Sequence, residues 1–275
     1  MLGGPQRLPR LQAMKYSTGR NHEDPEVRAK IVPNKNYVET HRMDRRMRLR
    51  AGRTVLQPRA YLMDQMQKPS CVGKSYQGRL NALLGVDPSG VGIWTLAREF
   101  EGTLDDPSEG TTPAAAIAVL LKNGWTPRHP NEDSRPISQD IVIPSIDDEL
   151  AAFDNQIPRI YDHFTCTGTP AQIKASVIDA LTLGYAVSFG TGVRDPFEEP
   201  PPDTVLDDTY LSSDSDAGHE QGIFGYIAEL DAFAVQGSWG AWTWCIINGE
   251  RAEGCFLVTP HVVCDAYAVD VLRVR

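Results

Sequence analysis

The chain has 275 residues, 41% of them hydrophobic, and a formal net charge of −9, which suits one large domain or one domain with an appendage. No apolar run approaches the ~20 residues of a membrane-crossing helix, and Met1 to Pro5 opens no apolar stretch of the secretory kind, so neither a span nor a signal peptide is predicted. Five cysteines at 71, 166, 245, 255 and 264, with no Cys-x-x-Cys, argue against a zinc site and for a reducing compartment, a pair within 245–264 being left open.

The charge is unevenly placed. Residues 1–60 hold 14 Lys and Arg against 5 Asp and Glu, and the remaining 215 hold 13 against 31. A basic arm is therefore joined to an acidic body. Pro5, Pro9, Pro25 and Pro33 interrupt any long period, so residues 1–55 read as an arm and 56–275 as the folded domain. The densest part, Arg42 to Arg53, lacks the interleaved aromatic residues that stack bases, and nucleic acid is not an expected partner. Ordering such an arm costs roughly 1–2 kcal/mol per residue in backbone entropy, which only extensive contacts offset. It can bind an acidic surface, its own body included, and is expected above all on a neighbouring subunit or another protein of a larger assembly, with Arg45, Arg46, Arg48 and Arg50 paired to carboxylates there.

Val55 to Met63 is apolar and extended, with Pro58 inside it, and reads as a strand. Asp64-Gln65-Met66-Gln67-Lys68-Pro69-Ser70-Cys71 follows. From Cys71 the pattern turns helical, with Val72, Tyr76, Leu80 and Leu83-Leu84 on one face and Gly85 as the stop. A thiol at a helix N-terminus gains thiolate character from the free N–H groups and the dipole. An attacking thiolate creates an oxyanion, which needs preorganised donors, and an amide six residues upstream, Gln65, can supply one beside the Cys71 N–H. By itself Cys71 reads equally as a buried free cysteine.

Ile93 to Phe100 reads as a short helix. Thr112-Pro113 starts a clearer one, with Thr as N-cap and Pro at the first position, running to Lys122 before Gly124. Residues 126–145 are a Pro-, Asp- and Ser-rich surface connection. Thr169-Pro170 caps another helix, 171–183, stopped by Gly184, and Tyr185 to Phe189 is a strand of alternating bulk. Residues 195–217 form an acidic loop with no calcium-ligand period. Gly218-His219 and an apolar run to Tyr226 come next, then Gln236-Gly237-Ser238-Trp239-Gly240, and Gly254 to Val258 as a closing strand.

Taken together, Gln65-x5-Cys71, Gly218-His219 with Gly225-Tyr226, and Ser238-Trp239-Gly240 resemble the papain-like cysteine peptidases of bacterial and viral type, over about residues 56–275. The resemblance implies an α+β, two-lobed fold, a helical half facing a β-rich half, with an extended N-terminal arm. It implies Cys71 as nucleophile, His219 as acid and base, Gln65 as oxyanion donor, Ser238 and Trp239 as active-site support, and no cofactor or metal. The substrate would be a protein or a peptidoglycan peptide. Where the family carries the asparagine that orients the histidine, this chain has Gly237, so another acceptor is expected to hold the ring; failing that, the domain is a structural subunit of a bacterial-virus particle that keeps the fold. The implied location is the cytoplasm of the producing cell or the virion.

Overall fold

The computed structural model describes residues 20–21, 25–31, 35–37, 52–106, 109–129, 131–134 and 160–274. Arg45, Arg46, Arg48 and Arg50 lie outside the described residues. Among the described residues no helix is long and apolar enough to cross a membrane, and all five cysteines are free thiols, including those at 245, 255 and 264.

The first half is helical. Helix α1 (Pro25–Ile31) belongs to the arm, and α2 (Cys71–Leu84), α3 (Gly90–Glu101) and α4 (Pro113–Lys122) follow. Thr112 caps α4 as expected, its side chain accepting from the Ala115 N–H, with Pro113 in the first turn. Helix α3 starts three residues earlier than Ile93, at Gly90, because Ser89 is its cap and accepts from the Gly92 N–H. Helices α2 and α3 pack closely: a Cβ on Gly73 would collide with the Gly90 carbonyl. Val72, Tyr76 and Leu80 of α2 join Ile93, Ala97, Ile117 and Leu120 in one apolar core.

The second half is a sheet. Its strands are β1 (Val55–Leu56), β2 (Ile160–Thr165), β3 (Ala186–Gly192), β4 (Val205–Leu206), β5 (Gly218–Ile227), β6 (Ala232–Gln236), β9 (Cys255–Val258) and β10 (Ala268–Val274), with β7 (Trp244–Ile247) and β8 (Glu250–Glu253) as a separate hairpin. The order is β2-β10-β3-β5-β6-β9-β4, with β1 on β5; among the described strand ladders β4–β9 is parallel and the others are antiparallel. Helix α5 (Pro170–Thr182) covers this sheet, opened by a capping box in which Thr169 and Gln172 satisfy each other's backbone donors. Its Ile173, Val177 and Ile178 pack with Phe189, Ile223, Val235 and Phe256 in a second core. A short helix α6 (Pro260–Cys264) precedes β10.

The strand expected over Val55 to Met63 is only Val55–Leu56. Pro58 cannot donate to a ladder, and beyond it the Gln236 side chain substitutes for a partner strand, accepting from the Ala60 N–H at 3.1 Å and donating to the Ala60 and Tyr61 carbonyls. The β3 strand runs three residues past Phe189. The acidic loop 195–217 contains a turn of 3-10 helix at Asp195–Glu198 and the strand β4.

Candidate active site

The helical and β halves meet where α2 lies along β5. A Cβ on Gly222 would press on the Arg79 side chain and lie 3.9 Å from the Ser75 carbonyl. Arg79 in turn bonds Gln57, whose backbone pairs with Phe224.

Cys71 is the first residue of α2. Ser70 precedes it without a side-chain cap bond, and the first turn holds no acidic residue. The positive end of a helix is a setting that favours a thiolate. Gln65 is held from three directions. Its N–H donates to the Ser238 carbonyl at 2.7 Å, its Oε1 accepts from the Ser238 hydroxyl at 2.6 Å, and its Nε2 donates to the Lys68 carbonyl at 2.8 Å. The Asp64 and Trp239 backbones form an antiparallel bridge, and the Gly240 N–H donates to the Met63 carbonyl at 2.8 Å. Gly240 sits at φ +68°, a conformation that favours glycine and turns the chain back after Trp239.

Trp239 carries the contact to the histidine. The His219 and Trp239 rings lie 4.6 Å apart at 38°. Trp239 is packed in turn by Phe197 and Trp242, ring centroids 5.4 and 5.3 Å away. The structure thus brings Gln65, Ser238, Trp239 and His219 into one cluster, and Cys71 opens α2 six residues after Gln65. Cys71, Gln65 and His219 are 0%, 0% and 1% exposed. Burial drives the His219 pKa down from its ordinary 6.5 to about 3, so the imidazole is neutral in this form.

Among the described residues no side chain or carbonyl accepts a hydrogen bond from the His219 ring, and its Nδ1 is buried without a partner. The replacement acceptor expected for the family's asparagine is therefore not found among them. A Cβ on Gly237 would meet Trp242 Nε1 at 3.4 Å and Phe256 at 3.6 Å, so an aromatic wall borders that position. The ring is positioned by packing on Trp239.

Sequence reasoning missed the groups that fix the Gln65–Cys71 loop from below. The buried Lys68 ammonium donates to the Glu132 and Asp133 carbonyls at 2.7 and 2.9 Å. Lys74, one turn into α2, pairs with Glu132 at 3.3 Å and with Asp133. Glu132 accepts from the Ser89 hydroxyl at 2.6 Å, tying α3 to the same point. The arm does lie against acidic groups of its own body, one of the surfaces expected for it, through pairs the sequence did not name: Arg20 with Glu220, Arg28 with Asp270, which also pairs with His163 at 2.8 Å, and Lys35 with Asp162. The excess of basic residues in the arm was the one available signal.

No family model matches the sequence. No curated protein matches it either. Solved structures do. Xylellain, a cysteine protease from Xylella fastidiosa, superposes with a TM-score of 0.67 at 17% identity, covering 94% of this chain and 97% of its own. Digestive procathepsin L 3 of Tenebrio molitor larval midgut gives 0.59 at 15% identity, covering 90% of this chain and 78% of its own. Procathepsin B S9 from Trypanosoma congolense gives 0.57 at 12% identity, covering 94% and 87%. The fold is that of the papain-like cysteine proteases, helices on one side and a mixed sheet on the other.

Proposed function

We propose that the chain is a cysteine peptidase that cleaves peptide or amide bonds through a thioester on Cys71. One observation supports this reading: Gln65 is bonded to Ser238, the next residue Trp239 packs on the His219 ring, and Cys71 opens α2 six residues after Gln65. In the proposed cycle His219 takes the Cys71 proton and the sulfur attacks the carbonyl carbon. The oxyanion accepts from the Cys71 N–H and the Gln65 amide. Collapse expels the amine, protonated by His219, and leaves the thioester. Water then attacks with His219 as base, releasing a carboxylic acid and restoring the thiol. The proposed substrate is a protein or a peptidoglycan peptide. Hydrolysis of fluorogenic peptide amides, lost in Cys71→Ser and His219→Asn, is the direct test.

A second reading is favoured by Gly237 and by the His219 ring lacking an acceptor among the described residues. The domain, residues 56–275, would then be a catalytically impaired scaffold that joins neighbouring subunits of a bacterial-virus particle through the arm, residues 1–55. Gly237→Asn separates the two. A gain in thiol labelling by a peptidyl epoxide supports an enzyme with a weakened orienting group, and no labelling of either form supports the scaffold. Deleting residues 2–50 tests the arm. A truncated chain that assembles normally at physiological ionic strength has no docking arm, and one that gains activity as a monomer had an inhibitory one.

A further inference from the structure

The body holds two residues of the arm as it would hold an extended peptide. The Arg20 N–H donates to the Gly218 carbonyl at 3.0 Å, one residue before His219. On the other side the Asn21 N–H donates to the Thr111 carbonyl at 3.1 Å, and Arg20 and Thr111 form a parallel bridge. Pairing from both flanks supplies main-chain affinity, and the side chain between them supplies selectivity.

That side chain is Arg20, and it descends into the body. Its Nε donates to Glu220 Oε2 at 3.0 Å, and its guanidinium lies 4.9 Å from the centre of the Tyr267 ring. The two side chains are 1% and 0% exposed. Two missing side chains make the room: a Cβ at Gly190 would collide with the Arg20 and Glu220 side chains, and one at Gly218 with the Arg20 carbonyl. A carboxylate buried this deeply is costly without a cation, and Glu220 Oε1 has no hydrogen-bond partner. An ion pair is also a poor choice for stapling an arm down, since apolar contacts of the same size stabilise as well or better. A planar cation facing both a carboxylate and an aromatic face is instead a selective arrangement for arginine.

We infer that Glu220 is a specificity-determining residue: the slot between Gly218 and Thr111 takes an extended peptide whose arginine side chain sits on Glu220 and Tyr267, and Arg20 is its built-in occupant. This deepens the peptidase reading and rests on it for the consequence in catalysis, since the slot ends one residue from His219. A substrate enters only when the arm leaves, and Arg20 reports the side chain that the pocket accepts.

The test uses the full chain. In Cys71→Ser with Arg20→Ala, the pocket is empty and chemistry is silenced. Anisotropy then compares a fluorescein-labelled pentapeptide bearing a central arginine with its citrulline counterpart, which has the same shape without the charge. The arginine peptide should bind roughly tenfold tighter or better, the size of one charge-assisted hydrogen bond at a buried site. Glu220→Gln should bring the two peptides within about twofold, and restoring Arg20 should weaken binding of the arginine peptide by roughly tenfold or more. Equal binding of both peptides to the emptied pocket, or binding of neither, overturns the proposal. Should Arg20→Ala fail to fold, Arg20→Gln fills the same volume and serves instead. Turnover of an arginine-bearing and a leucine-bearing peptide amide by Arg20→Ala with Cys71 intact separates the two claims. Arginine-selective binding without turnover supports the pocket and overturns the peptidase reading. Turnover without arginine preference overturns the pocket alone.

Discussion

The buried imidazole of His219 makes stability depend on pH in a calculable way. Its pKa is about 3 in the fold against 6.5 for an ordinary histidine, and desolvation is the cause. Between those values the unfolded chain binds a proton that the folded chain does not. The contribution is therefore complete above pH 6.5 and is lost as the pH falls toward 3. At 1.36 kcal/mol per pH unit, lowering the pH from 7 to 4.5 should remove about 3 kcal/mol through this one group, and the full span is on the order of 5 kcal/mol. Glu220 acts with the opposite sign. Burial raises its pKa to about 7, so its proton is held by the folded chain and stability gains as the pH falls through that range. Asp270, held down at about 2 chiefly by Arg28 against the opposing effect of burial, acts below pH 4. Comparing wild type with His219→Asn cancels both. Urea denaturation at pH 7 and 4.5 should show the wild type losing about 3 kcal/mol more than the variant over that interval. Parallel pH dependences in the two proteins would mean that His219 is not a desolvated neutral imidazole in the folded state, and the description of the site as closed to water would be wrong.

Other perturbations have definite expected outcomes. Gly73→Ala drives a Cβ into the Gly90 carbonyl and should separate α2 from α3, lowering stability by at least roughly 1–3 kcal/mol in a denaturant titration. Lys68→Met leaves the Glu132 and Asp133 carbonyls without their buried donor, and a loss of about 1–3 kcal/mol per orphaned group should appear in the urea midpoint. Trp239→Ala should cost roughly 3–5 kcal/mol and, by exposing the His219 ring, move its NMR titration upward from about 3 toward 6.5.

The parts of the molecule legible in the sequence are those whose physics is local. Thr112-Pro113 and Thr169-Pro170 announce helix starts because a cap needs only its own first turn. The cluster of Gln65, Ser238, Trp239 and His219 is legible in the order of its motifs, and a hydrogen bond and a ring contact join it. The rest depends on distant partners. Strand β10 hides because its alternation is broken by Asp270, a buried carboxylate answered by Arg28 and His163 from elsewhere in the chain. Strand β2 hides for the same reason from the other side, since it carries His163. Gly90 reads as loop by propensity, yet it opens α3 because Gly73 must approach it. Arg20 and Glu220 stand 200 positions apart, and no window of sequence shows that one fits the other.

In the proposed cycle Cys71 is a nucleophile and His219 its base. Intact and peptide-level mass spectrometry of the Arg20→Ala chain after treatment with a peptidyl epoxide tests it most directly, because all five cysteines compete in one experiment. A single adduct mapped to Cys71 is expected, formed fast in the parent chain and slowed by roughly 100-fold or more in His219→Asn, the usual loss when a general base is removed. Adducts spread over the other thiols, or labelling of Cys71 at the same rate without His219, would contradict it.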